Sequence, residues 1–349
     1  MNSLFHLAAA SDWQAACPIG QYRAASLQSE GFIHFSFAHQ WRLSQQRYCR
    51  GQEDLLLLRI DPSLLSGEVR IENGFPHLYG PLDCAAVVEV TRLAPAHDLR
   101  VGLACALRPG LEVLQQATAQ GCRLVVLPEL PFHRWCPAFR ERDPQDEDNG
   151  RVAAQAQLAR QSGLWLLGGS LENRRNTAYL WNPQGEVDLR YEKVHLPQEP
   201  GFWEADHYDP GSQPPGVSDG LGFPLGIQLC SDIQRPFGSM FLRHQGAAAI
   251  MVPRATESGT FANWRLVMQA MARMTACYVL SVNRPGPEFG VPLGGPSLVV
   301  GPDGQVLAEE EEPLTCVTLK HEAVVRARAE YPGYLAVPAS VYAAAWAHS

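Results

Sequence analysis

Three reactive side chains follow strand-like apolar runs in the later part of the sequence. They are the carboxylate of Glu129, the ammonium of Lys193 and the thiol of Cys230. A cysteine attacks carbon as its thiolate, so a nearby carboxylate can accept its proton while an ammonium favours the anion and a developing oxyanion. If the fold brings them together, these residues predict nucleophilic chemistry through sulfur.

Each of these residues also has an ordinary structural interpretation. Free cysteine is among the most buried residue types, so Cys230 alone is typical of a core position. Lys193 alone is typical of a protein surface, and Glu129 alone suits the cap of a following helix. The chemistry therefore depends on whether the elements around these residues converge.

Strand-like and helical runs alternate in this part of the sequence. Apolar runs at 100–106, 123–127 and 164–168 are separated by helical runs at 111–120 and 152–162. Such alternation is typical of a layered α/β fold, in which the ends of strands distant in sequence meet at one crevice. We expect the three reactive residues to lie in that crevice.

A short proline-containing segment at 93–98 separates two β-like runs. We therefore place a domain boundary near residue 97. Before it, strand-like runs at 55–60 and 86–90 and a polar helical run at 37–48 predict a small α+β domain. The sequence thus predicts two domains, at 1–97 and 98–349.

The composition is that of a folded globular protein. The chain has 349 residues, of which 46% are hydrophobic and 18% charged, and its net charge of −8 works against a nucleic-acid or anionic-membrane surface. We expect no signal peptide and no membrane span, because the N-terminus lacks a basic stretch and the apolar runs are short. Nine cysteines without a CxxC pair argue against a disulfide framework or a zinc cluster. These features predict a cytoplasmic protein whose partners are small molecules.

Motifs around the reactive residues resemble a known family. They are Val126-Leu-Pro-Glu-Leu130, Tyr191-Glu-Lys-Val-His-Leu-Pro197, Gly201-Phe-Trp-Glu204, Leu229-Cys-Ser-Asp232 and, as a supporting piece, Asn283-Arg284. In this order they make residues 98–349 similar to the nitrilase or carbon-nitrogen hydrolase superfamily. The resemblance implies a nitrilase-like α-β-β-α sandwich, pairing of subunits into a homo-oligomer, and hydrolysis of non-peptide C–N bonds without a metal or organic cofactor.

The same resemblance implies roles for individual residues. Glu129, Lys193 and Cys230 would form a catalytic triad that proceeds through a thioester. Glu204 would orient Lys193 and line the pocket, although an exposed loop acid is the alternative. The backbone N–H of Ser231 would join Lys193 in stabilising the oxyanion.

The residues after Cys230 bear on the substrate. Nitrilases proper usually have Trp-Glu there, whereas Ser231-Asp232 is closer to the amidase and N-carbamoyl amidohydrolase branches, so we expect an amide or N-carbamoyl substrate. Arg235 or Arg254 could bind a substrate carboxylate through two parallel hydrogen bonds, and each equally suits a structural or surface ion pair. A nitrilase, an acyltransferase on the same triad and a catalytically silent binding protein remain alternatives.

The first domain carries two motifs of its own, at 30–36 and 75–82. They resemble a small bacterial domain family of unknown function, over residues 2–93, whose fold is thought to be similar to that of ADP-ribosyltransferases. Four polar aromatic residues could form a pocket for a nucleotide-like ligand: His6, His34, His77 and Tyr79. The interpretation that we prefer is that they bond to buried backbone groups in a noncatalytic domain.

Overall fold

The computed structural model describes residues 3–335, apart from residues 39, 50, 51, 53, 94–96 and 142–149. The chain divides into two compact units. The first contains the residues up to Asp98 together with Ser218–Pro224, and the second contains Leu99–Val217 and the residues from Leu225 onward. The predicted link at 93–98 includes 94–96, which lie outside the described residues, and independent folding of the parts before and after residue 97 stays a prediction.

The first unit combines short strands and helices. Its strands are β1 (Leu4–Ala9), β2 (Gln21–Tyr22), β3 (Ile33–His34), β4 (Leu55–Ile60), β5 (Glu68–Glu72), β6 (Phe75–Tyr79), β7 (Leu82–Asp83) and β8 (Val87–Leu93). Its helices are α1 (Ala10–Ala16), α2 (Ala25–Ser29) and α3 (Trp41–Tyr48). The helix predicted at 37–48 therefore begins at Trp41.

The strands of the first unit pair into antiparallel sheets with the orders β1-β4-β8, β3-β6-β5 and β2-β7. Along β1 the side chains alternate between buried and half-buried, as expected for a strand with one face on a core. That core includes Ile33, Leu58 and Leu78, none of which is measurably exposed. This architecture is α+β.

The second unit contains the remaining strands and helices. Its strands are β9 (Leu99–Ala104), β10 (Leu124–Val126), β11 (Trp165–Glu172), β12 (Arg175–Trp181), β13 (Val187–Glu192), β14 (Val217–Ser218, whose Ser218 groups with the first unit), β15 (Leu225–Ile227), β16 (Ala249–Arg254), β17 (Tyr278–Asn283), β18 (Ser297–Val300), β19 (Val306–Glu310) and β20 (Leu314–Leu319). Its helices are α4 (Leu111–Ala119), α5 (Arg151–Ser162), α6 (Glu204–His207), α7 (Pro236–His244), α8 (Phe261–Thr275) and α9 (His321–Ala329).

Two six-stranded sheets form the centre of the second unit. One has the order β13-β12-β11-β10-β9-β20, and the other has the order β14-β15-β16-β17-β18-β19. In the first sheet β9, β10 and β11 are parallel, and in the second β15, β16 and β17 are parallel. Because parallel strands point the same way, the chain leaves β10 and β15 at the carboxyl ends of their sheets, and Glu129 and Cys230 come shortly after those ends.

Helices cover the outer faces of these sheets. Helices α4 and α5 pack on the first sheet, α7 and α8 pack on the second, and β9 contacts β17 between the sheets. A strand that is buried on both faces has a continuous apolar sequence, and β10, whose three residues are all buried, shows this pattern. Helix α5 is followed by Gly163, whose φ of 67° is the left-handed conformation that glycine adopts at low cost. The predicted α-β-β-α sandwich is confirmed.

No helix within the described residues is both long enough and apolar enough to cross a membrane.

Candidate active site

Glu129 lies in the loop that follows β10. The main chain continues the ladder as far as Leu127, whose N–H donates to the carbonyl of Leu167, and then turns through Leu130, which has a φ of 48°. The side chain of Glu129 is fully buried. Its Oε1 accepts from Asn176 Nδ2 and Lys193 Nζ, both at 2.8 Å, while Oε2 has no hydrogen-bond partner among the described residues.

Lys193 follows β13, at the far end of the hairpin formed by β12 and β13. Its backbone N–H donates to Asn176 O at 2.9 Å, so the pairing of the hairpin places the lysine beside that asparagine. Nζ donates to Glu129 and also to Glu204 Oε1 and Oε2, at 2.6 and 2.8 Å. Two carboxylates from different segments thus converge on one buried ammonium.

Cys230 follows β15 and begins a short 3₁₀ helix, Cys230–Gln234. Its φ of 46° is unusual for a residue with a side chain and marks a sharp turn from strand to helix. The thiol is buried and donates to the carbonyl of Ala255 at 3.7 Å. The charges of Glu129, Lys193 and Glu204 act on the pKa of this thiol, so the acids and the ammonium lie near enough to interact with it electrostatically. The catalytic role of the three predicted residues stays a prediction.

Asp232 joins the lysine segment to the cysteine segment. Its buried carboxylate accepts from Tyr191 Oη at 2.9 Å and from both the backbone N–H and Nδ1 of His195 at 2.8 Å. A further bond runs from Ser231 Oγ to the carbonyl of His195. These contacts fix the distance between β13 and the turn at Cys230, because a buried carboxylate without donors would be costly.

Burial and charge shift the titration of these groups. Burial raises the pKa of the Cys230 thiol well above its usual value, and the charge of Glu129 raises it further, against the opposing effect of Lys193. Burial alone would lower the pKa of Lys193, but the carboxylates of Glu129 and Glu204 outweigh it and hold that pKa well above its ordinary range. Burial raises the pKa of Glu204 to about 7, although the Lys193 ammonium opposes this. Burial and the charge of Glu129 therefore favour the protonated form of the Cys230 thiol, and the two carboxylates favour the charged form of Lys193.

Cys230 and Ser231 open on a cavity of about 290 Å³. The other residues that line it are Pro197, Glu199, Pro200, Phe202, Ala255, Thr256, Glu257, Thr260 and Trp264. Glu204 is fully buried and bonded to Lys193, so it is not an exposed loop acid, but it does not line this cavity. The cavity is of the size that holds a small molecule.

The two arginines that the sequence predicted for substrate binding lie outside the lining of this cavity. Arg254 is buried, and its guanidinium bonds to Ser281 Oγ, Thr256 Oγ1 and the carbonyl of Pro296. Arg235 is exposed at the start of α7. Neither residue lines the cavity, so their assignment to a substrate carboxylate stays a prediction that no contact supports.

Arg284 positions the glutamate segment. Its buried guanidinium donates to the carbonyls of Glu129 and Leu130, at 3.2 and 2.7 Å, and pairs with both oxygens of Glu288. Glu288 in turn accepts from the backbone N–H of Trp135 at 3.1 Å. The turn that presents Glu129 is thus held by an arginine from the end of β17.

Asn176 is a site residue that the sequence reasoning missed. It lies inside the ordinary-looking strand β12, and only its pairing with the end of β13 places it on Glu129. Spacing along the chain therefore offered no signal for it. Within the described part of the chain, no group of three or more His, Cys, Asp or Glu side chains is arranged to hold a metal ion.

The polar residues of the first unit bond mainly within that unit. His6 Nδ1 contacts the carbonyl of His34 at 2.8 Å and its Nε2 contacts Tyr22 Oη at 3.3 Å, while burial lowers the pKa of this imidazole to about 4. His77 stacks on Phe32 with ring centroids 4.1 Å apart. Bonds of this kind agree with the noncatalytic interpretation at His6, while a ligand pocket stays untested.

Comparison with known sequences identifies the family of the second unit. The pattern of the carbon-nitrogen hydrolase family matches residues 104–328, which is more than half of the chain. The chain belongs to the carbon-nitrogen hydrolase family. A second pattern, described as a protein of unknown function (DUF952), matches residues 7–90.

Relatives of this carbon-nitrogen hydrolase include amidases. The deaminated glutathione amidase of Rattus norvegicus is 31% identical over 226 residues, covering 59% of this chain and 69% of that protein. The N-carbamoylputrescine amidase of Arabidopsis thaliana is 26% identical over 268 residues, covering 69% of this chain and 85% of that protein. The chain is accordingly a carbon-nitrogen hydrolase with amidases among its relatives.

Solved structures share the fold of this carbon-nitrogen hydrolase. A carbon-nitrogen hydrolase from Helicobacter pylori G27 superposes with a TM-score of 0.64 at 22% identity, covering 71% of this chain and 98% of that one. A point mutant of an amidase from Nesterenkonia sp. AN1 gives a TM-score of 0.58 at 26% identity, covering 67% and 95%. That mutant carries the acetamide moiety of fluoroacetamide on its active-site cysteine.

Proposed function

We propose that the protein hydrolyses a small-molecule amide or N-carbamoyl compound through a Glu129–Lys193–Cys230 triad and a thioester intermediate. The observation that carries the proposal is the buried contact of Lys193 with Glu129, which leaves one Glu129 oxygen without a partner among the described residues, in a site that also contains a cysteine at a sharp turn. The cysteine adduct of the Nesterenkonia amidase mutant supports the same role for Cys230.

The first half of the reaction acylates the cysteine. Glu129 accepts the thiol proton as the sulfur of Cys230 attacks the carbonyl carbon, and a C–S bond forms. Lys193 and the backbone N–H of Ser231 stabilise the tetrahedral oxyanion. The C–N bond then breaks, and Glu129 returns the proton to the leaving nitrogen, which departs as ammonia or an amine.

The second half releases the acid. Glu129 takes a proton from water, the resulting hydroxide attacks the thioester carbon, and the C–S bond breaks. The thiolate of Cys230 recovers a proton from Glu129. The protein groups end as they began, so the reaction consumes only the amide and water. Glu204 acts on this sequence through Lys193, which it orients by two hydrogen bonds.

Ammonia release from a panel of amides, N-carbamoyl compounds and nitriles tests the proposal. We expect amides and N-carbamoyl compounds to outperform nitriles, and we expect mass spectrometry of the quenched enzyme to find the acyl group on Cys230. Cys230→Ala should lose all turnover while Cys17→Ala, at an exposed cysteine of the first unit, retains it. Turnover by Cys230→Ala, or an adduct on another residue, would overturn the triad.

The same panel distinguishes the alternative activities. A preference for nitriles would indicate a nitrilase. Acyl transfer to an added amine such as hydroxylamine, faster than transfer to water, would indicate an acyltransferase. The absence of turnover for every compound would favour a silent binding protein.

The remaining expectations are also proposals. We propose a homo-oligomer in the cytoplasm, which size-exclusion chromatography and cell fractionation would test. We further propose that the first unit has an ADP-ribosyltransferase-like fold. Its antiparallel three-stranded sheets are compatible with that proposal, and an experimental structure of the first unit would decide it.

A further inference from the structure

The charged residues that line the cavity at Cys230 are of one sign only. Of the residues that line it, Glu199 and Glu257 are acidic, and none is lysine, arginine or histidine. Glu199 comes from the segment between β13 and α6, and Glu257 comes from the segment after β16. Two separate segments of the chain therefore each bring a carboxylate to the cavity that contains the thiol.

Neither carboxylate is neutralised within the described structure. Glu199 is exposed and Glu257 half-buried, and both side chains lack a hydrogen-bond or ion-pair partner among the described residues; only their backbone groups are bonded. By contrast, Glu129 and Glu204 share the ammonium of Lys193. The two cavity acids are thus free to interact with whatever enters.

The two arginines considered for substrate binding do not offset these acids. The guanidinium of Arg254 is held by Ser281, Thr256 and Pro296, and Arg235 is exposed outside the cavity lining. A concave surface lined by charge of one sign attracts ligands of the opposite sign and repels ligands of the same sign. The cavity therefore disfavours the substrate carboxylate that the sequence suggested.

The rest of the lining suits a short organic cation. Trp264 and Phe202 offer aromatic surface, and an indole face attracts an ammonium group. The hydroxyl of Thr260 donates to the carbonyl of Glu257 and fixes the turn that presents this acid. A chain of a few methylene groups between a scissile carbonyl at Cys230 and an ammonium at the acids would match both kinds of lining.

We infer that the enzyme selects amides or N-carbamoyl compounds whose far end carries an ammonium group, recognised by Glu199 and Glu257. This inference rests on the proposed function, because it assumes that the scissile carbonyl lies at Cys230. It adds the charge of the substrate, which the reaction chemistry leaves open.

Three amides of similar length test the inference: 4-aminobutyramide, butyramide and succinamate. They differ at the far end, in being cationic, neutral and anionic. We expect kcat/KM from ammonia release to fall in that order, by at least about tenfold between the cation and the anion, and the difference to shrink in high salt. Equal values, or a preference for succinamate, would overturn the inference.

Carboxylate-to-amide variants test whether Glu199 and Glu257 determine the preference for a cationic substrate. The double variant Glu199→Gln with Glu257→Gln should lower the ratio of kcat/KM for 4-aminobutyramide to that for butyramide at least about tenfold, and each single variant should lower it less. Glu310→Gln, which changes an exposed acid on β19, serves as the matched control and should leave the ratio unchanged. An unchanged ratio in the double variant would overturn the roles of the two acids.

The neutral amide separates the two proposals. Butyramide turnover that depends on Cys230, together with a flat or reversed charge preference, would overturn this inference and leave the proposed function standing. No turnover of any of the three amides would count against the proposed function, and the inference would fall with it.

Discussion

The two units use polar side chains in different ways. In the second unit, Lys193 brings together two carboxylates from separate segments, yet Glu129 Oε2 is left without a partner among the described residues. In the first unit, both ring nitrogens of the buried His6 have partners, in the carbonyl of His34 and the hydroxyl of Tyr22. The cluster around Lys193 thus keeps an unpaired oxygen in the unit that contains Cys230, whereas the hydrogen bonds of His6 are complete.

This difference separates polar groups that are suited to catalysis from polar groups that only stabilise the fold. A buried polar group without a partner costs free energy, so a fold keeps one only where something else compensates. An oxygen that already accepts two hydrogen bonds has little capacity left to take a proton, whereas a free oxygen can accept one. The contrast predicts that substitutions in the second unit's cluster abolish or reduce turnover and that substitutions in the first unit's cluster do not.

The largest effect is expected for Glu129→Gln. The amide keeps an oxygen that can accept from Lys193 and Asn176, so the fold should persist, but it cannot take a proton from Cys230. We expect kcat to fall by about 10² to 10⁴, the usual contribution of a general base. Steady-state ammonia release measures it. Near-normal kcat in the folded variant would show that another group accepts the proton.

A smaller effect on activity is expected for Arg284→Lys. Lysine keeps the charge but cannot reproduce the bidentate pair with Glu288 together with the bonds to the carbonyls of Glu129 and Leu130. We expect kcat to fall about tenfold to a hundredfold through misplacement of Glu129, and stability to fall by about 1 to 3 kcal/mol.

The control for this variant is Arg59→Lys in the first unit, whose arginine pairs with Glu89 at the surface. Exposed pairs contribute little, so we expect a stability change within about 1 kcal/mol and unchanged turnover. Urea denaturation and ammonia release measure both proteins. Equal effects of the two substitutions would contradict a positioning role for Arg284.

The pH dependence of stability gives a finer test. Because burial raises the pKa of Glu204 from 4.5 to about 7, the unfolded chain loses this proton at lower pH than the folded protein does. Its contribution to the free energy of unfolding therefore falls as pH rises between those values, by at most about 1.4 kcal/mol per pH unit, and is constant outside them.

Glu204→Gln removes this titration. We expect the free energy of unfolding of the wild type, minus that of the variant, to decrease as pH rises from about 4.5 to about 7, as measured by urea denaturation across that range. Glu310→Gln, at an exposed acid, should show no comparable trend. A constant difference for Glu204→Gln would mean that this carboxyl is already ionised at the lower pH.

The smallest effect is expected for His34→Ala. This imidazole is half exposed and bonds to Glu30 at 3.1 Å, in the unit that does not contain Cys230. We expect kcat/KM for amide hydrolysis to stay within about twofold and stability to change by less than about 1 kcal/mol. A large loss of turnover would show that the first unit takes part in hydrolysis and would remove the contrast between the units.

Patterns along the chain predicted a layered α/β fold with Glu129, Lys193 and Cys230 at the ends of strands, whereas the α-β-β-α sandwich was implied by the family resemblance. Apolar strands alternate with helical spacers, and the residues that come directly after parallel strands lie at one edge of a sheet. The sequence indicated Arg284 only as part of a supporting motif, and it did not predict Asn176 as a site residue. Both reach Glu129 through pairings between distant strands, which a linear pattern does not display.

Arg235 and Arg254 show more clearly that a sequence pattern does not predict where a side chain points. A positive residue after an apolar strand has the right chemistry for a carboxylate, but its direction is set by packing that the sequence does not display. In the fold, Arg254 turns to hydroxyl and carbonyl groups inside the protein. The carboxylates at the cavity, Glu199 and Glu257, lie in loops whose course is likewise not encoded by periodicity.

The hydrogen bonds of Lys193 have a consequence for catalytic discrimination. An ammonium has three donors, and here one goes to Glu129 and two go to Glu204. A substrate oxygen can gain one of them only by displacing a carboxylate oxygen. The neutral carbonyl of a bound amide is a weak competitor, whereas the full negative charge of the tetrahedral oxygen is a strong one. Under the proposed mechanism, saturation of Lys193 thus withholds its stabilisation from the ground state and reserves it for the transition state.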